Sequence, residues 1–326
     1  MTKKIPELRI ALNYECTLKC NYCPPQGENF IGTKNIMRRG KLLEIISAFY
    51  DIGLRKIGFT GGEPLLSKNL PFIIRGCSDF NKAYLKLYTN GVLLSQNEKI
   101  LKRIDMVKIS LDTVNRKRFL EITGKDRLGD VLQGIHMARE DNIKIRINTV
   151  LSKYNYNDMT ELMDFCRFNE INLKILDMNC FEAPGYLFWK KAYRSPQGIA
   201  SSLECRGLKK RIIYTTGNYG IPMSEYSWGK ISIRIKDTSN ASVYSPVCKS
   251  CGYFPCQEGL YHLTLTCNGH LKICRHRPDI YKDLSSKNKF EIKNNILDFL
   301  SSHYFTARRL SCAKQVFFGH FGKNGK

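Results

Sequence analysis

At 326 residues, with 43% hydrophobic and 25% charged side chains, the chain can bury a full core, which excludes a disordered or fibrous protein. No apolar run is long enough to cross a bilayer, and no apolar stretch follows the N-terminal charges as it would in a secretory signal. A cytoplasmic location without a membrane partner is therefore expected. Lys and Arg outnumber Asp and Glu by 52 to 29, a balance of +23 that favours phosphates or an acidic peptide; no nucleic-acid-binding signature accompanies it, so nucleic acid is not an expected partner.

Strand-like runs fall at Leu8–Leu12, Lys56–Phe59, Tyr84–Thr89, Met106–Leu111, Lys144–Leu151 and Asn172–Met178. Amphipathic segments lie between them around Lys41–Asp51, Asn69–Phe80, Gln96–Arg103, Leu128–Arg139 and Asp158–Phe168. This alternation predicts an α/β fold built on a parallel sheet. Six βα units are fewer than the eight of a closed barrel, so a partial (β/α)6 barrel over residues 1–185 is expected. Residues 186–245 lack clear periodicity and read as a linker with short elements. In the remaining segment, 246–326, Leu263–Thr266 and His270–Ile273 flank Asn268-Gly269, a hairpin signal, and the last fifty residues are basic and weakly helical.

Thirteen cysteines in a reducing compartment point to metal or redox chemistry rather than to disulfides. They cluster near both ends. Cys16, Cys20 and Cys23 have the spacing C-x3-C-x2-C directly after the first expected strand. Three thiolates on one loop can hold three irons of a 4Fe–4S cluster and leave the fourth iron open. A zinc site is the competing reading, although a tetrahedral site wants four ligands and no fourth stands nearby. One βα unit later comes Thr60-Gly61-Gly62-Glu63-Pro64, whose glycines permit close backbone approach and whose carbonyls and carboxylate suit an ammonium group.

The three-Cys loop with Tyr22 before its last cysteine, followed by Gly-Gly-Glu-Pro, resembles the radical S-adenosylmethionine (SAM) superfamily. Within it the similarity is to the GTP 3′,8-cyclase (MoaA)-like family, over roughly residues 8–185. It runs through Leu8-Arg9-Ile10, Phe59 to Leu66, Thr89-Asn90-Gly91, Ile109-Ser-Leu-Asp112, Ile122 to Leu128, Ile147-Asn148 and Asp177-Met178. The resemblance implies that SAM chelates the open iron and is cleaved reductively to a 5′-deoxyadenosyl radical, with flavodoxin or ferredoxin as reductant. It implies that Tyr22, Gly61, Gly62, Glu63, Ser110 and Met178 contact SAM, with a core methionine as the alternative for Met178. Arg9 and Arg146 fall where that family has basic residues for its substrate, a structural pairing with a carboxylate being the alternative for each.

Three departures point away from GTP itself. Gly58 stands where the family has an arginine, Tyr88 where it has a threonine, and its C-terminal Arg-x-Arg follows neither Cys251 nor Cys256. The C-terminal cysteines resemble an auxiliary iron–sulfur domain of the Twitch or SPASM kind over 246–326. Cys248, Cys251, Cys256 and Cys274 are the expected ligands of a second cluster and Cys267 the bystander, with structural zinc as the alternative occupant. Asp112 and Glu63 are the carboxylates of most interest. Three functions remain open: an enzyme acting on a phosphorylated nucleotide- or nucleoside-like small molecule, a maturase of a ribosomally made peptide, and a non-catalytic iron–sulfur protein.

Overall fold

The computed structural model describes residues 5–24, 35–180, 185–214, 221–236, 242–254, 256 and 259–310. Its strands are β1 (Glu7–Ala11), β2 (Lys56–Thr60), β3 (Tyr84–Thr89), β4 (Met106–Ser110), β5 (Ile145–Val150), β6 (Asn172–Leu176), β7 (Lys210–Ile213), β8 (Met223–Trp228), β9 (Ile231–Lys236), β10 (Ser242–Tyr244), β11 (His262–Leu265), β12 (His270–Lys272), β13 (Tyr281–Asp283) and β14 (Arg308–Leu310). β1 to β6 pair in sequence order and in parallel, each pair joined by helix-bearing crossovers. This is the expected half-barrel.

The period-2 pattern of the strands gives the sheet two unlike faces. Leu8, Ile10, Ile57, Phe59, Leu87, Val107, Ile109, Ile147, Leu173, Ile175, Ile233 and Ile235 are fully buried beneath the helices. Each such side chain contributes roughly 2 kcal/mol by leaving water. The alternate positions carry charge instead, and they form the concave interior.

The sheet extends beyond the six expected strands at both ends. Residues 186–245, expected as a linker, hold helices Tyr186–Ala192 and Gln197–Cys205 and the strands β7 to β9. β9 lies parallel to β6, and β8 and β7 follow antiparallel, so this segment continues the barrel wall. On the other side the expected hairpin is present as β11 and β12, with Gly269 at φ +94° in its turn. β11 pairs in parallel with β1, Glu7 beside His262 and Arg9 beside Thr264. The weakly helical C-terminal stretch contains a helix at Lys289–His303, started by a capping box of Asn288 and Glu291. Lys289 and Lys293 of that helix reach Asp51 at 3.1 and 2.6 Å, which docks it on helix Arg39–Asp51. Among the described residues no helix is long and apolar enough to cross a membrane.

Candidate active site in the barrel mouth and interior

The cysteine loop leaves β1 and is held by its neighbours before any ligand is considered. A helix at Arg116–Thr123, hidden from sequence reading by its charged first turn, ends on Gly124 at φ +68°. Its last carbonyls lack intrahelical partners. Thr123 O accepts from Lys19 N at 2.8 Å and Ile122 O from Asn21 N at 2.9 Å, so the loop between Cys16 and Cys23 is tied to a helix end. The Ile122-Thr-Gly stretch of the sequence thus has a local purpose. Cys16 and Cys23 are exposed and Cys20 is half-buried. Burial, the Asp112 carboxylate and the Cys23 and Cys16 thiols all push the Cys20 thiol well up. Leu18 N and Asn90 Nδ2 point at Cys16 Sγ from 3.5 and 3.4 Å.

The Gly-Gly-Glu-Pro segment lies against the same loop. Gly62 N reaches Asn13 O at 3.1 Å and Glu63 N reaches Glu15 O at 2.7 Å. A Cβ on Gly62 would stand 2.1 Å from Glu15 O, so only glycine fits. Asn13 completes the clasp, accepting from Gly62 N at 3.2 Å and donating to Glu63 O at 2.8 Å. Asn13→Ala removes both bonds from a buried site and is expected to cost about 1–3 kcal/mol in a urea titration.

Glu63 is held by the fold itself. Its carboxylate turns inward, fully buried, and accepts from Leu65 N, Thr89 Oγ1 and Asn90 N at 3.1, 2.8 and 2.8 Å. Burial still raises it to about 7. As placed, Glu63 braces Asn90, whose side chain spans Thr17 at 2.8 Å and Cys16, and two of its three accepted bonds fall on Oε1. Asp112 is likewise internal: it accepts from Tyr22 OH at 2.5 Å, Thr149 Oγ1 at 3.1 Å and Val150 N at 2.8 Å. Burial raises its pKa despite those bonds, and raises that of Tyr22 well above the usual phenol range. Tyr22 also packs against a cluster formed by Met178, Cys180, Trp189 and Ala192, with Met178 2% exposed. Ser110, at the end of β4 beside Asn148, is exposed.

Below this mouth the concave face carries Arg9, Lys86, Lys108, Arg146, Lys174, Arg234 and Lys236, set against the carboxylates of Glu7 and Glu225. Glu7 is gripped by Lys86, by Arg9 at 3.4 Å and by the Tyr88 hydroxyl. Burial works against its charge, but Lys108, Lys86 and Arg9 hold its pKa well below the usual carboxylate range. Glu225 is taken by Arg211 and by Arg234, the latter at 2.5 Å. Arg146 and Lys174 form no salt bridge among the described residues, and Arg146 Nε is buried without a hydrogen-bond partner. Burial, then Lys236, Arg9 and Arg146, lower Lys174 from 10.5 to about 7, with Glu7 opposing. The unfolded chain therefore binds the extra proton between pH 7 and 10.5, and this group adds stability as pH rises through that window. Lys174→Met is expected to stabilise the ligand-free protein most at pH 7 and progressively less towards pH 10 in urea titrations.

The C-terminal cysteines meet as well. Cys248, Cys251, Cys256 and Cys274 line one small, largely enclosed cavity with Phe254, His276 and Arg277. Cys267 is buried elsewhere, in the turn between β11 and β12. Cys274 Sγ accepts from His276 N at 3.3 Å, and Arg277 donates to Val247 O at 2.9 Å on the cavity wall. Among the described residues no group of three or more His, Cys, Asp or Glu side chains is drawn together tightly enough to hold a metal ion. The four sulfurs surround an opening rather than close on a point.

The Radical SAM superfamily profile matches residues 10–166, the span that carries the end of β1, the cysteine loop, the glycine clasp and strands β2 to β5. Those residues are a radical SAM domain. Relatives of this chain include GTP 3′,8-cyclase of Aliarcobacter butzleri, 38% identical over 170 residues that make up 51% of this chain and 53% of that protein. A probable GTP 3′,8-cyclase of Archaeoglobus fulgidus is 37% identical over 177 residues, 53% of this chain and 58% of that one. The chain spans about half the length of the curated relatives it matches. Among solved structures, Streptococcus suis SuiB bound to S-adenosylmethionine superposes with TM-score 0.63 at 16% identity, over 89% of this chain and 65% of that one. Native anSMEcpe with bound AdoMet gives 0.57 at 15%, over 90% and 82%. The shared fold thus includes the region beyond the profile match. The cofactors of the radical SAM family are a 4Fe–4S cluster and SAM, and a loop offering three thiols with N–H groups aimed at one of them has the donor chemistry for that cluster.

Sequence reading identified the cysteines and ran its resemblance through Thr89, Asn90 and Gly124 without giving them a role; Asn13 it missed. Asn13, Thr89, Asn90 and Gly124 are ordinary turn and strand-end residues in a local pattern. Lys174 and Glu7 look like solvated charges until the sheet curls, and the curl is visible where Lys236 of β9 comes within 5.3 Å of the Tyr261 ring beside β11.

Proposed function

We propose that this chain is a radical SAM enzyme acting on a phosphorylated nucleotide- or nucleoside-like small molecule. Cys16, Cys20 and Cys23 hold the 4Fe–4S cluster, and Tyr22, Gly61, Gly62, Ser110 and Met178 surround the SAM site, with Glu63 acting through Asn90. Cluster and SAM together supply a reductively generated 5′-deoxyadenosyl radical for hydrogen abstraction. Cys248, Cys251, Cys256 and Cys274 hold a second iron–sulfur cluster, and flavodoxin or ferredoxin supplies electrons.

The observation that carries the substrate class is the charge of the concave face. A largely buried guanidinium and amine with no salt-bridge partner among the described residues are costly unless an anion joins them. Arg146 and Lys174 are such a pair, and Arg9 and Lys236 stand close enough to Lys174 to depress its proton affinity. GTP 3′,8-cyclase relatives agree with a phosphorylated substrate. The peptide reading draws on SuiB bound to precursor peptide SuiA, a likeness of fold at 18% identity.

The test is anaerobic reconstitution with iron, sulfide, dithionite and SAM, followed by measurement of 5′-deoxyadenosine with nucleotides or acidic peptides added. Stimulation by a phosphorylated small molecule, lost in Arg146→Ala, is the expected result. Stimulation by peptides alone would replace this reading with the maturase, and an unchanged response in Arg146→Ala would remove the role of the cationic face.

A further inference from the structure

The two departures at positions 58 and 88 meet in space. Gly58 and Lys86 are neighbours on β2 and β3, and the Tyr88 ring one step along β3 lies over Gly58. A Cβ on Gly58 would stand 2.7 Å from Tyr88 Cε2 and 3.0 Å from Glu7 Oε1. Any side chain at 58 and the ring at 88 are therefore alternatives for one volume. The ring is also fixed from several sides. Its hydroxyl donates to Glu7 and accepts from Lys108 Nζ at 2.7 Å. The Arg9 guanidinium stacks on it at 4.5 Å, and Arg9 is covered on a second side by Tyr261 at 5.1 Å.

This arrangement divides the concave face. On the β1–β4 side, Arg9, Lys86 and Lys108 are already engaged by Glu7 and Tyr88. On the β5–β6 side, Arg146 and Lys174 have no salt-bridge partner among the described residues. An incoming anion gains most where charge is uncompensated, because it need not displace an existing ion pair.

We propose that Tyr88, seated on Gly58, is the specificity-determining floor of the barrel interior: it closes the β2–β3 side to a substrate ring and directs the anionic group to Arg146 and Lys174. Tyr88 acts by occupying volume and by holding Arg9 and Lys108 away from the anion. The proposal rests on the reading of an anionic substrate, and its test keeps the two apart.

The measurement is calorimetric binding of two probes, GTP and inorganic tripolyphosphate, to the full-length protein reconstituted anaerobically with its iron. Tyr88→Thr removes the ring, and Tyr88→Phe keeps it while losing the hydroxyl. In wild type, tripolyphosphate is expected to bind and the guanosine of GTP to add less than threefold. In Tyr88→Thr, GTP is expected to gain at least tenfold over tripolyphosphate, while Tyr88→Phe keeps the wild-type ratio. Tyr88→Leu, which keeps more buried apolar contact, replaces the threonine variant if that one does not fold. Arg146→Ala and Lys174→Ala are each expected to weaken tripolyphosphate at least tenfold. An unchanged GTP-to-tripolyphosphate ratio on removing the ring overturns the floor. Tripolyphosphate binding that ignores both cation variants overturns the anion subsite, and with it the proposed substrate class, whatever the ring does.

Discussion

Gly62→Ala is expected to abolish SAM cleavage while leaving the chain folded. The added methyl would sit 2.1 Å from Glu15 O, 2.5 Å from Glu15 C and 2.7 Å from Tyr14 O. All three are backbone atoms, so no side-chain rotation relieves the contact. The strand-end loops must part, which breaks the 2.7 Å bond from Glu63 N to Glu15 O and shifts the residue directly before Cys16. Displacing a cluster ligand by about 1 Å is enough to lose two orders of magnitude in rate. We expect 5′-deoxyadenosine production to fall at least 100-fold, with SAM affinity reduced and far-UV circular dichroism unchanged. Gly129→Ala is the matched control: it sits in the first turn of helix Leu128–Glu140 and nothing lies within 4 Å of its Cβ, so the methyl is accommodated. A Gly62→Ala protein with wild-type cleavage would show that the clasp does not set the position of the cysteine loop.

Local pattern was enough for the βα alternation, because each strand has its apolar face buried under helices and each helix shows one apolar stripe. It was enough for the cysteine loop and for the β11–β12 turn at Asn268-Gly269, where one residue must adopt positive φ. Non-local pairing was out of reach. β11 lies in parallel beside β1 although about 250 residues separate them in the chain, and nothing in Leu263 to Leu265 signals that neighbour. β7 to β9 were hidden for a related reason: Arg211, Glu225 and Arg234 compensate one another only when the strands are paired. The site followed the same division. Residue types that can bind metal announce themselves by spacing, whereas Glu63, turned inward to brace Asn90, has an identity that suits a ligand and a position that suits a brace. Gly58 and Tyr88 each read as a separate departure from the cyclase family, whereas in space the Tyr88 ring fills the volume that a side chain at 58 would need.

Cys20→Ala and Cys248→Ala are expected to separate the two metal sites. The loop carrying Cys20 is fastened through Lys19 N and Asn21 N to the end of helix Arg116–Thr123, bonds that do not involve its sulfur. The variant should therefore fold, lose about four irons per chain, and produce no detectable 5′-deoxyadenosine, while the C-terminal metal remains. Cys248 lies in a short turn after β10, on the wall of a cavity shared with Cys251, Cys256 and Cys274. Its loss should remove the second metal and keep the N-terminal cluster, so that uncoupled SAM cleavage by dithionite persists within threefold of wild type while substrate-dependent turnover falls at least tenfold. Iron and zinc counts with electron paramagnetic resonance of the reduced proteins decide between outcomes. One zinc per chain that survives Cys20→Ala and vanishes in Cys248→Ala would make the C-terminal site a structural tetrahedral centre. Full cleavage activity in Cys20→Ala would take the reaction away from the N-terminal loop altogether, because two remaining thiols on that loop cannot hold three corners of a cluster.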